Sequence, residues 1–326
     1  MLDRREFLAL GLAAAPAVLG ARLAGERSRS AVARPSVAFV TADTEAHVAV
    51  VGLGARRVVR RIRTVEDPRS VERSPDGRWA IVGHAGVGAV SVLDLHERAV
   101  RRVLRGFSQP RYTAFAPGGA LAYVSDSGSG EVAVIDVAAA RVVRRVAAGD
   151  GARHLSLAPD GRTLWVALGS SAAAIAILDV RSARRPRRLA VVRPPFLAHD
   201  VAFSPSGRRV WVTAGRERRI AVFAAPTRER VRTLTADTAP QHVAFGPGVA
   251  YVASGEGASV TVHALADGRV HHRARVPVGS YNVQRTAAVV VTPSLGTGAL
   301  TVLDAHGRVT ASVPVAAHAH DACLAR

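Results

Sequence analysis

The sequence predicts an all-β chain: a seven-bladed β-propeller of four-stranded antiparallel blades, its ring closed by a C-terminal strand that completes blade one. Three observations predict it. A Pro-x-Gly turn recurs at Pro75-Asp76-Gly77, Pro117-Gly118-Gly119, Pro159-Asp160-Gly161 and Pro205-Ser206-Gly207, with a shortened form at Pro247-Gly248, and the prolines are 42, 42, 46 and 42 residues apart. After each turn come two short runs of period-two alternation, such as "LAYVSD" then "EVAVID", separated by small residues, which argues strand rather than helix. The ends of the chain fit each other: "SVAFVTAD" near the N-terminus aligns with second strands and lacks a first, while the C-terminal "AHDACLAR" aligns with the first strand "AHDVAFSP" that starts at Ala198.

Each element follows from its residues. In the turn, proline presets the first dihedral, Asp suits the next position, and glycine takes the left-handed conformation that tightens a hairpin. The second strand carries the large side chains. Trp79, Trp165 and Trp211 are read at one repeat position in it, where they would pack between blades. The third strand ends at Gly52, Asp94, Asp136, Asp179, Ala224, Ala264 and Asp304, which counts seven units. An arginine-flanked fourth strand, such as "RVVRRV" at Arg141 to Val146, closes each one. Seven such units at this period make a propeller, and a C-terminal strand paired into blade one removes the ring's open edge.

The pattern "P-D-G-x-x-x-[YW]-V" followed by "V-x-V-[IL]-D" resembles the YVTN-type β-propeller repeat family over residues 35–326. Blade seven departs from it, since "YNVQRTAAVVV" has no Pro-Asp-Gly turn and Thr292-Pro293-Ser294 interrupts its loop. Many members of that family are exported bacterial proteins used as binding scaffolds and others are subunits of redox enzymes. The resemblance therefore implies a fold and an export habit, and function has to come from a site.

Residues 1–33 read as a signal peptide: a charged start, an apolar stretch from Phe7 to Leu23, then a polar stretch ending Ala31-Val32-Ala33. Asp3-Arg4-Arg5-Glu6-Phe7-Leu8 resembles a twin-arginine export signal, with Asp3 and Ala9 departing from it. Cleavage is expected after Ala33, leaving the propeller at 34–326 in the periplasm, cell envelope or extracellular space, with no transmembrane segment. An uncleaved anchor is the alternative, because the 17-residue apolar run sits at the short end of a membrane span.

With 48% apolar residues in 326, the chain is not a disordered tail. One cysteine, Cys323, excludes a disulfide framework and a cysteine-built zinc site, and it reads as a small core residue. All 44 basic residues are arginine, against 25 acidic ones; removing residues 1–33 lowers the net charge from +19 to +17. The arginine pairs, among them Arg60-Arg61, Arg101-Arg102, Arg144-Arg145 and Arg187-Arg188, fall mostly on outer strands. There they would keep edges from pairing with other chains, or form a rim that attracts anionic polymer non-specifically. Specific nucleic-acid binding is not expected, since the few aromatics are not interleaved with the arginines. A monomer is expected.

First strands line a propeller's channel, and their starts lie near one face. Aligning those starts gives Arg69-Ser70, Arg111-Tyr112, Arg153-His154, His199-Asp200, Gln241-His242, Tyr281-Asn282 and His320-Asp321. Convergent polar groups in a concavity are what binding pockets use. The ligand-binding funnel is therefore placed at Arg111, Tyr112, Arg153, His154, His199, Asp200, Gln241, His242, Tyr281, Asn282, His320 and Asp321, for a protein or small-molecule partner. His154, His199, His242 and His320 are candidate ligands for a divalent metal. Against this stands the plain reading that polar strand ends simply order channel water, and that neighbouring residues in a strand point oppositely. The sequence contains no H-E-x-x-H, G-x-S-x-G or haem-attachment motif. The function expected is thus an exported, non-catalytic binding scaffold; a metal- or cofactor-assisted enzyme, or redox-enzyme subunit, using the same histidines is the alternative.

Overall fold

The computed structural model describes residues 37–169, 173–236 and 238–325, so the expected signal peptide over 1–33 and its expected cleavage site lie outside the described residues. The repeating turn organises the fold. Gly77, Gly119, Gly161 and Gly207 all have φ between 68° and 76°. Each donates its N–H to the carbonyl three residues back, at 2.9, 3.0, 2.8 and 2.8 Å to Ser74, Ala116, Ala158 and Ser204. Only glycine takes that conformation without steric cost, so the recurring Gly fixes where each first strand reverses into the second.

Strands β1 (Val37–Ala42) to β28 (Ala319–Ala325) form seven four-stranded antiparallel sheets. Six of them run in sequence order: β4 to β7 (Pro68–Arg105), β8 to β11 (Pro110–Ala147), β12 to β15 (Leu155–Val192), β16 to β19 (Val201–Thr235), β20 to β23 (Val243–Arg275) and β24 to β27 (Gln284–Pro314). The seventh has the order β28-β1-β2-β3, where β2 is His47–Gly52 and β3 is Arg57–Arg63. The C-terminal strand thus supplies the innermost strand of blade one, with Phe39 opposite Cys323 and Val37 opposite Ala325. Every residue of β28 is buried, Cys323 among them at 3% exposure. No helix among the described residues is long and apolar enough to cross a membrane.

The core lies between blades. Seven apolar clusters each join two neighbours; one packs Trp165 and Ile177 of blade four against Val201 and Phe203 of blade five. Another packs Val291 and Leu300 of blade seven against Val40 and Leu324 of blade one, so the seam is packed like every other interface. Second strands fill this space with one large side chain at their third position: Phe39, Ile81, Tyr123, Trp165, Trp211 and Tyr251 are all at most 3% exposed. Trp165 and Trp211 meet Phe203 and Phe245 of the next blade edge to face, with centroids 5.8 and 5.7 Å apart. Trp79 corrects the sequence reading. It opens β5 (Trp79–His84), two residues before the position of the other tryptophans, and Ile81 fills that position instead.

Outer strands carry the arginine pairs as expected, on β3, β7, β11 and β15. They also carry a device that the sequence did not reveal. In all seven blades the ladder between third and fourth strands shifts register at the same place, leaving Val59, Arg101, Val143, Leu189, Val231, His271 and Thr310 unpaired. A bulge twists an edge strand away from a flat pairing surface. Bulge and charge together guard six of these edges, while β27 (Val309–Pro314), which has no charged residue, carries the bulge alone.

Blade seven differs as its sequence suggested. Its first strand, β24, is only Gln284–Arg285, and Pro293 ends its second, β25 (Val290–Pro293).

Candidate functional site

Hydroxyls on second strands set the first-strand starts by bridging to the next blade. Thr41 donates to the Arg69 carbonyl at 3.4 Å, Ser125 to that of Arg153, and Thr213 to that of Gln241 at 2.6 Å, each 28 residues on. In blade two the corresponding residue is Gly83. A Cβ there would stand 2.7 Å from Ser70 Oγ and 3.1 Å from the Arg111 carbonyl, and Ser70 makes the bridge to Arg111 itself. Thr213 is fully buried and also accepts the Asp200 N–H at 3.0 Å. Thr213→Val keeps the shape but strands both backbone groups, and is expected to lower unfolding free energy by about 1–3 kcal/mol, read by urea denaturation; an unchanged midpoint would show that the bridge carries no stability.

Twelve of the fourteen aligned residues divide into two tiers around the axis, and Arg111 and Asn282 line neither cavity. On the side where first strands begin lies a cavity of about 330 Å³, lined by Arg69, Arg153, His199, Gln241, Tyr281 and His320, together with Arg216, Glu256, Leu197 and Leu295. Below it a second cavity of about 300 Å³ is lined by Ser70, His154, Asp200 and Asp321, with Glu72, Ser156 and Arg285. Tyr112 and His242 line both, and so form the partition.

The partition is a tight aromatic and imidazole cluster. His154 Nε2 lies 2.9 Å and Tyr112 Oη 3.2 Å from His242 Nε2. The Tyr112 and His154 rings stack at 3.9 Å, and His199 lies 4.7 Å from His154 by ring centroids. Side chains on successive residues of one strand diverge, yet these meet because they come from the facing sides of different blades. His242 Nε2 has a single lone pair or a single proton to share between His154 Nε2 and Tyr112 Oη, so no tautomer satisfies the hub fully. His242 Nδ1 lies 3.7 Å from Asp200 Oδ2, beyond hydrogen-bond range. His154 Nδ1 is buried with no hydrogen-bond partner among the described residues.

One ligating atom from each of His154, His199 and His242 lies within 4.8 Å of the others. In a tetrahedral site, bonds near 2.05 Å place nitrogens about 3.3 Å apart, so a metal would draw the more widely spaced of these atoms closer together than they stand here. His320 takes a different position: its Nδ1 faces the Arg69 carbonyl at 2.7 Å, outside that trio. Burial is the largest influence on all four imidazoles and pushes them away from the charged form, His199 and His320 to about 3. They are neutral at pH 7, as a metal ligand must be.

Other aligned residues serve the framework. Asp200 accepts N–H groups from Val201 at 2.8 Å and, across the blade boundary, Val243 at 3.1 Å. Asp321 does the same for Ala322 at 2.9 Å and Val71 at 3.0 Å. Burial raises both carboxyls to about 7. Gln241 bonds the Gly215 carbonyl and the Gly255 N–H, and Asn282 the His320 carbonyl. Arg111 turns outward to Ser127 and Gln109.

The sequence reading missed Glu72, whose carboxyl burial pushes up to about 8. The position two after each aligned pair holds Glu72, Ala114, Ser156, Ala202, Ala244, Gln284 and Cys323; an acid among mostly small residues was the available signal.

No protein-family profile matches this chain, and no curated protein does. Its fold is shared with solved structures. Hydrazine synthase of Kuenenia stuttgartiensis superposes with a TM-score of 0.76 at 18% identity, over 83% of this chain and 93% of that one. The dihydro-heme d1 dehydrogenase NirN gives 0.66 at 15% identity, over 88% and 75%. A protein of unknown function from Desulfotomaculum acetoxidans gives 0.77 at 10%, over 89% and 99%. At these identities the likeness is one of fold.

Proposed function

We propose that this propeller is an exported binding module of the YVTN type that takes its ligand in the axial funnel, where His154, His199 and His242 anchor a divalent transition metal. The convergence of three neutral imidazoles from blades four, five and six within 4.8 Å carries this reading. Ordinary channel lining asks only that strand ends be hydrated. It does not ask for three histidine rings packed on one another, with one ring nitrogen left without a partner. Zn, Ni, Cu and Fe all accept imidazole in such a set, and three protein ligands leave a coordination position open for an incoming group. The neighbours that are redox enzymes lend the enzyme alternative a fold and nothing at the residue level. Export rests on the Arg4-Arg5 signal and Ala31-Val32-Ala33.

The test is elemental analysis by plasma mass spectrometry on protein recovered by its native export route, alongside a His154→Ala/His242→Ala variant. Near-stoichiometric metal in the first and none in the second is expected, and the N-terminal sequence of the same sample is expected to begin at Arg34. Metal absent from both, with no uptake after incubation with Zn²⁺ or Cu²⁺, would remove the metal anchor.

A further inference from the structure

We infer that the ligand of the upper funnel is a small organic carboxylate, its carboxyl group held by Arg153 and its apolar body lying against Leu197, Tyr281 and Leu295. This rests on the reading of the funnel as the binding site and names the chemistry that fits it.

Arg153 decides the charge. It lines the upper cavity beside His199 and stands next in sequence to His154. Among the described residues its Nε is buried without a hydrogen-bond partner and no carboxylate lies within ion-pair range of its guanidinium. The cavity's other cations are better provided for: Arg69 pairs with Asp43 at 3.2 Å, and Arg216 is exposed to solvent. The field of Arg153 falls on His154, His199, His242 and His320, in each case disfavouring a further positive charge. A part-buried guanidinium left unpaired is costly. An incoming anion relieves that cost with two parallel N–H···O bonds, the geometry in which arginine holds a carboxylate. The same anion would offset the charge of a metal on the three histidines.

The remaining wall limits what carries the charge. Glu256 on the rim and Asp43 behind Arg69 offset two of the three arginines, which leaves room for about one negative charge rather than for a polyanion. Leu197, 38% exposed, faces the cavity with Leu295 and the half-buried Tyr281 ring. These are poor company for inorganic phosphate and good company for an alkyl or aryl group. A volume of about 330 Å³ fits a small organic acid, not a peptide or polymer chain.

The test follows the imidazole proton resonances of His199 and His320 by NMR at pH 7 and 150 mM salt, on the full chain, during titration with benzoate and hexanoate. Benzamide serves as the uncharged isostere and inorganic phosphate as the anion without an apolar body. Saturable one-to-one shifts with the carboxylates are expected, at least tenfold weaker with benzamide and phosphate. Arg153→Gln is expected to weaken carboxylate binding at least tenfold, and Arg153→Lys by less. Arg232→Gln on the outer strand β19 (Arg230–Thr235) should leave it unchanged; circular dichroism establishes that each variant is folded. Equal, unsaturable binding of phosphate and benzoate, lowered alike by Arg232→Gln and Arg153→Gln, would mean diffuse attraction to a basic surface and overturns the proposal. Benzamide binding as tightly as benzoate, unaffected by Arg153→Gln, overturns the carboxylate while leaving the funnel as a site. No shift of either histidine with any of the four probes overturns the funnel reading itself.

Discussion

Deleting residues 319–326 is expected to abolish cooperative folding of the whole chain. The strand removed is the innermost of blade one, and all seven of its residues are buried. Cys323, Leu324 and the alanines beside them leave two core clusters at once, those joining blade one to blades seven and two. At roughly 0.8 kcal/mol per buried methylene, with more for the leucine, the apolar loss alone is about 5 kcal/mol. To this is added the row of β1 backbone groups that lose their partners, and the Val71 N–H that loses Asp321, at about 1–3 kcal/mol for each group left buried. Domain stability totals about 5–15 kcal/mol, so the ring has too little to spare. Near-ultraviolet circular dichroism during urea denaturation should lose its sigmoidal transition, and a synthetic peptide of residues 316–326 added in trans should restore it. A truncated chain with an unchanged midpoint would mean that β28 does not close the ring.

The second large effect is on pH dependence. Unfolding free energy is expected to peak near pH 6.5, fall modestly on the alkaline side and fall steeply below pH 4. Burial drives two opposed sets of groups. His154, His199, His242 and His320 lie below the ordinary 6.5, two of them at about 3, so below pH 6.5 the unfolded chain binds protons that the native one refuses. Their contribution is full above 6.5 and is lost as pH falls through the native values. Asp200 and Asp321 are raised from 3.8 to about 7 and Glu72 from 4.5 to about 8, so the native state holds these protons where the unfolded state has released them. Their contribution is full below the unfolded values and is lost as pH rises through 7 and 8.

Between pH 4 and 6.5 four imidazoles oppose three carboxyls and the net slope is shallow. Below pH 4 the carboxyls are protonated in both states, and the imidazoles act alone, at up to about 5 kcal/mol per pH unit. Asp136 and Asp179, held below their ordinary value first of all by hydrogen bonds from Arg184 and Arg181, add to the acid loss. Urea titrations from pH 3.5 to 9 measure the curve. Asp200→Asn/Asp321→Asn should flatten the alkaline limb, since it removes two of the three acids. Stability that rises between pH 7 and 8 would show that these carboxyls are ionised at neutral pH in the native state.

How much of this was legible in the chain depends on the range over which each feature is decided. The Pro-Asp-Gly turns, the alternating runs and the counting of third-strand ends are local, and backbone and hydrogen-bond preferences within a dozen residues settle them. Closure was legible because "AHDACLAR" repeats the pattern of a strand whose place is known. The tryptophan register failed at Trp79 because one alternation of strand period looks like another. The shared bulge of the outer strands left no mark in residue type: Val59, Arg101 and His271 have nothing in common.

By itself, then, the sequence determined an all-β ring of seven blades, the strand that seals it and the row of fourteen first-strand residues from which twelve come to line the axial cavities. The tertiary structure alone decided how those fourteen are used. Successive side chains of a strand point to opposite faces, so first residues of the aligned pairs face the upper cavity and second residues the lower. That geometry sends Arg111 outward, spends Asp200 and Asp321 as bridges between blades, and packs Tyr112, His154 and His242 across the channel beneath an unpaired Arg153. Tyr112, His154 and His242 share one repeat position, 42 and 88 residues apart, and the repeat gathers them, but which side chains touch across the channel is decided only by the packed ring.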